Sequence, residues 1–117
     1  MHSTRLMLLL VVALPAAGCA TSQYQWGSYE PALYRYYKNP ATLDDYAEQL
    51  ASVIAIGEPD HKVPPGIYAE YGYVLLLQGK RDEAIAHFER EERAWPESVR
   101  LMDIMIKTAT ADRARKP

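Results

Sequence analysis

Residues 65–98 read PGIYAEYGYVLLLQGKRDEAIAHFEREERAWPES. This stretch decides the fold. Its spacing predicts two helices, about Gly66 to Leu77 and about Asp82 to Ala94, split at Gln78-Gly79-Lys80. Pro96 closes the second helix, because proline lacks the N–H that a helix interior needs. A further helix is expected from about Glu97 to Ala109. Val99, Met102, Met105, Ile106 and Ala109 form its apolar stripe, and Leu101 and Ile104 widen it.

Upstream, Leu43, Tyr46, Ala47, Leu50, Val53 and Ile54 recur at helical spacing and predict a helix ended by Gly57 and Pro59. Thr42, with Asp45 three residues on, is expected to cap its start. A shorter helix from Pro31 to Lys38 stops at Asn39-Pro40. Glu58 to Pro65 reads as a loop. No stretch alternates like a strand, so the expected fold is all-α. The flanking helices at 43–56 and 97–109 are expected to cover the two sides of the 65–98 hairpin.

Six positions of that hairpin resemble one tetratricopeptide repeat: Tyr68, Gly72, Gly79, Ala84, Phe88 and Pro96. The resemblance implies a close helix crossing at Gly72 and Ala84, with Phe88 filling the groove and Gly79 turning the chain. Glu91 departs from the pattern, which usually has alanine there. That departure implies a looser contact with the following helix.

The chain opens with a different signal. His2 and Arg5 precede the apolar run from Leu6 to Leu14, and Pro15-Ala16-Ala17-Gly18 is a small-residue exit. The run is too short to span a bilayer, and it reads as a secretory signal. Ala16-Ala17-Gly18-Cys19 resembles the lipobox of bacterial lipoproteins, with Ala16 where leucine is commonest. The resemblance implies cleavage before Cys19 and acylation there, with palmitate-type chains as anchor. Ala20 implies transfer to the outer membrane, facing the periplasm. The expected organisation is a signal peptide at 1–18, a lipidated tether at 19–25, a helical domain at 26–110 and a basic tail at 111–117.

A wider resemblance covers most of the chain. Tyr24, Trp26, Gly27, Tyr29 and Glu30, then Val63-Pro64-Pro65-Gly66, then Trp95-Pro96-Glu97-Ser98 are similar to a family of short bacterial lipoproteins of unknown function. Such genes often sit beside a lipoprotein resembling the curli-secretion channel, which implies an envelope protein as partner.

Composition excludes several classes of function. The 13 Lys+Arg against 15 Asp+Glu give a formal charge of -2, without the basic excess of a nucleic-acid binder. One cysteine permits no intrachain disulfide. His61 sits in a charged loop. His87 shares a helix face with Glu83 and Glu91, a pattern of solvated helix pairs more often than of a metal site. Asp44-Asp45, Asp82-Glu83 and Glu91-Glu92 are adjacent in sequence and point apart on a helix. No metal, cofactor or catalytic residue is expected.

The aromatic distribution is the most unusual feature: all nine tyrosines lie between Tyr24 and Tyr73. Either Trp26, Tyr29, Tyr34 and Tyr37 fold back as a layer over the hairpin, or they bind a partner. The expected partner surface joins Trp26, Tyr29 and Tyr34 to the helix bearing Leu101 and Ile104. The expected function is a lipid-anchored, non-catalytic helical adaptor or assembly factor. A peptidoglycan glycan binder or hydrolase is the alternative.

Overall fold

The computed structural model describes residues 23–115, with side chains described to residue 112. The expected signal, the lipobox-like stretch with Cys19 and the start of the expected tether lie outside the described residues. Among these residues there are five α-helices and no strand: α1 Tyr29–Lys38, α2 Leu43–Gly57, α3 Ile67–Leu77, α4 Arg81–Ala94 and α5 Val99–Arg115. The protein is all-α, as its periodicity requires. Packing follows chain order, α1 on α2, α2 on α3, α3 on α4 and α4 on α5. No helix among the described residues is long and apolar enough to cross a membrane.

α1 ends where the residue before Pro40 is barred from helical backbone: Asn39 is extended at φ −142°, ψ 95°. Pro40–Thr42 then make one 3₁₀ turn. Here the expected cap is corrected. Thr42 makes no side-chain bond to the start of α2. Its Oγ1 donates instead to the Asn39 carbonyl at 2.8 Å, because the 3₁₀ turn brings that carbonyl within reach. The expected stripe of α2 is buried: Leu50, Val53 and Ile54 are 5% exposed or less, beside Tyr46 and Ala47.

Gly79 reverses the chain between α3 and α4 at φ +78°. The Lys80 N–H donates to the Leu75 carbonyl at 2.8 Å, and the Gly79 N–H to the Leu76 carbonyl at 3.0 Å. This pair of bonds is a Schellman motif, which needs a left-handed residue at that point. α5 starts after a 3₁₀ turn at Pro96–Ser98 and runs to Arg115, past the end of its apolar stripe.

The core has two clusters. One holds Ala32, Tyr46, Leu50, Val53, Ile67 and Val74, joining α1, α2 and α3. The other holds Leu75, Ala84, Phe88 and Met102, joining α3, α4 and α5. Phe88 is fully buried against Gly72.

Candidate functional site

The aromatic segment is divided by the fold into an inner and an outer set. The chain before α1 is held by the Gln25 N–H, which donates to the Lys62 carbonyl at 2.8 Å. Trp26 lies against Tyr29 with ring centroids 5.4 Å apart and is 41% exposed. Tyr29 turns inward. Its Oη donates to Glu70 Oε2 on α3 at 2.7 Å. Tyr46 of α2 donates to the other oxygen, Glu70 Oε1. Tyr36 stacks on Tyr46 at 5.1 Å with planes 7° apart. One carboxylate thus ties α1, α2 and α3 through two phenols.

Burial, followed by the neighbouring Glu70 carboxylate, raises the Tyr29 pKa to about 12. The same two causes, in the same order, push Tyr46 higher still. Removing either phenol proton would leave a phenolate beside a carboxylate, so these hydroxyls stay donors at neutral pH.

The outer set faces solvent. Tyr34 and Tyr37 are exposed on α1, and the Lys38 ammonium sits 5.6 Å from the Tyr34 ring centroid. At the other end of the chain Leu101 and Ile104 are 58% and 55% exposed on α5. Of the five expected partner residues, Trp26 and Tyr29 touch each other. α1 packs on α2 while α5 packs on α4, so Tyr34 and the Leu101–Ile104 pair lie on helices at different ends of the packing order.

A second polar hub lies at the α2–α3 connection. Glu58 accepts from Tyr68 Oη at 3.1 Å and from Arg90 Nη1 at 2.9 Å. Arg90 also lies over the Tyr68 ring, 5.8 Å from its centroid. Burial, reinforced by Glu58, raises Tyr68 to about 12.

Glu91 is 3% exposed and reaches across from α4 to the start of α3. Its Oε1 accepts from the Gly66 N–H at 2.8 Å, and its Oε2 from the Ala69 N–H at 3.4 Å. It therefore caps a neighbouring helix, whose first N–H groups have no partner of their own. This is why the position carries glutamate, and α5 still packs on α4. Burial raises the Glu91 pKa, opposed by those backbone N–H groups.

The expected His87 face is split for the same reason. His87 Nδ1 pairs with the Glu83 carbonyl at 2.9 Å, and its ring meets Tyr71 edge-on at 4.7 Å. Among the described residues no three His, Cys, Asp or Glu side chains come together as a metal site. A groove of about 700 Å³ between α2 and the α3–α4 turn is lined by Leu43, Ala47, Tyr71, Leu77 and Gln78 among others. Gln78 Nε2 donates to Asp44 Oδ1 across it at 2.7 Å.

Sequence reasoning missed Glu70 and the capping role of Glu91. Glu70 carried a legible signal, being the one charged residue between Ile67 and Leu77. A lone carboxylate on a buried helix requires donors.

The described residues define an all-α domain in which Glu70 and Glu91 hold helices together and an aromatic face is left outside. Residues 23–105 match the domain of unknown function DUF4810, and the chain belongs to that family. No curated protein and no solved structure matches the chain.

Proposed function

We propose that this protein is a lipid-anchored envelope lipoprotein whose helical domain serves as a non-catalytic adaptor or assembly factor. In this reading the hairpin of α3 and α4 is a tetratricopeptide-like repeat, flanked by α1 and α2 on one side and α5 on the other. The partner is another envelope protein, with a lipoprotein resembling the curli-secretion channel as the first candidate. The observation that carries the reading is the exposure of large apolar side chains on both terminal helices. Tyr34 and Tyr37 on α1, and Leu101 and Ile104 on α5, are each at least half exposed. Aromatic and aliphatic side chains presented this way suit the centre of a protein interface. The half-buried Glu70 and the buried Glu91 are, by contrast, bonded to the fold itself.

Capture of envelope proteins by the protein, set against its sedimentation with purified sacculi, tests the reading. Saturable binding to bare sacculi would favour the glycan-binding alternative and overturn the adaptor. Trp26→Ala sharpens the test. The ring is partly exposed and rests on Tyr29, so its removal should cost about 1 kcal/mol of stability or less. Loss from an interface centre should cost about 2 kcal/mol or more of binding. A large drop in the melting temperature with capture intact would place Trp26 in the fold and remove it from the surface.

Anchoring has its own test. Cys19→Ala is expected to abolish incorporation of a tagged fatty acid and to leave an uncleaved or mislocalised precursor. Label that persists in the mutant would end the lipobox reading.

A further inference from the structure

The outward face of α1 is patterned by charge as well as by apolarity. Glu30, Leu33, Tyr34 and Tyr37 line a shallow groove of about 340 Å³. Leu33, Tyr34 and Tyr37 are 36%, 62% and 78% exposed, so nothing among the described residues covers it. Lys38 belongs to the same face, since its ammonium lies over the Tyr34 ring. Positions 30, 33, 34, 37 and 38 follow the i, i+3, i+4, i+7, i+8 spacing of one helical stripe.

The stripe begins with a carboxylate and ends with an ammonium, and Tyr34 lies midway, four residues from each. Such a face is complementary to itself only when turned end for end. A two-fold axis through Tyr34 places Glu30 of one copy opposite Lys38 of the other, twice over, with the tyrosines of the two copies covering one another. This is an isologous contact, the commonest kind in closed dimers. A parallel pairing would set like charge against like.

We propose that this face of α1 docks a second copy of the chain, with the two α1 helices antiparallel about Tyr34. The pairing goes beyond the adaptor reading and does not depend on it. It takes the α1 part of the exposed surface, Tyr34 and Tyr37, for self-association, and leaves Trp26 and the Leu101–Ile104 face of α5 to carry the adaptor reading. Ten residues of helix extend about 15 Å, so the contact is small and the dimer is weak in solution. Copies anchored in one membrane would meet at a far higher effective concentration.

The test uses the full chain in detergent, followed by sedimentation velocity over a wide range of protein concentration, with no other protein present. A concentration-dependent monomer–dimer equilibrium is expected. Glu30→Lys or Lys38→Glu alone should weaken it about tenfold by setting like charges together. The double exchange, Glu30→Lys with Lys38→Glu, should restore it to within about threefold of the unmodified chain. Circular dichroism checks that α1 stays folded in all three, because Glu30 and Lys38 also complement the helix dipole from its first and last turns. In a second experiment, mild oxidation of Tyr34→Cys should give a covalent dimer beyond the Cys19 background of the unmodified chain, and Leu101→Cys should not. A chain that stays monomeric at every concentration, or a double exchange that fails to restore pairing, would overturn the proposal. So would a monomer whose Tyr34→Ala variant loses capture of an envelope protein, because the face would then belong to that partner.

Discussion

Gly72→Leu should lower the unfolding free energy by several kcal/mol. A Cβ at Gly72 would stand 2.6 Å from Phe88 Cε1 and 3.1 Å from the Ala84 carbonyl oxygen. Phe88 is fully buried and has no room to yield. Overpacking of a tight core costs about 1–3 kcal/mol, and more when helices must separate. A small domain has only about 5–15 kcal/mol of stability in total. Alanine is the finer probe. In a helix interior it gains about 1 kcal/mol over glycine, yet the clash should still make Gly72→Ala destabilising. Gly79→Ala is the contrast, because a Cβ there meets nothing within 4 Å and suffers only from the positive φ. Urea unfolding followed by circular dichroism decides the matter. An unchanged midpoint in Gly72→Leu would remove the close crossing of α3 and α4.

Glu91 should show a second effect, and one that depends on pH. Glu91→Ala strips the start of α3 of an acceptor and leaves the half-buried Gly66 and Ala69 N–H groups without their side-chain partner. The expected loss is about 1–3 kcal/mol. The sign of the pH dependence follows from burial. Glu91 has a raised pKa in the folded chain, against 4.5 for the free group. The folded state therefore holds the proton more tightly than the unfolded state does. This contribution to stability is fully present below pH 4.5 and is lost as pH rises through the folded value. Acidifying from neutrality should stabilise the protein more than it stabilises Glu91→Gln, which cannot ionise there. Melting temperatures of the two proteins across the mildly acid range measure the difference. Parallel curves would show that Glu91 carries no folding-linked proton. Two tyrosines act higher up: ionisation of the partly buried Tyr29 or of the buried Tyr68 is delayed to about pH 12 by folding.

The helices were legible because helix formation is local. The α2 stripe of Tyr46, Ala47, Leu50, Val53 and Ile54 repeats at the period of the turn, and a helix of that period must bury it. Gly79 and the Gly72–Phe88 spacing likewise announced a tight hairpin, since the residue types themselves limit backbone and volume. The Thr42 cap was misread because the 3₁₀ turn at Pro40–Thr42 supplied a nearer acceptor in Asn39. Only the tertiary structure could pair Glu91 with the start of α3, or Glu70 with Tyr29 and Tyr46, since those partners lie 22 to 41 residues apart. It also decided which tyrosines are structural. Tyr29, Tyr36 and Tyr46 meet a neighbouring helix and turn inward, whereas Tyr34 and Tyr37 project from the uncovered side of α1. Sequence sets the period of an amphipathic helix, but the direction of each face depends on what packs beside it, and that is fixed only when distant segments meet.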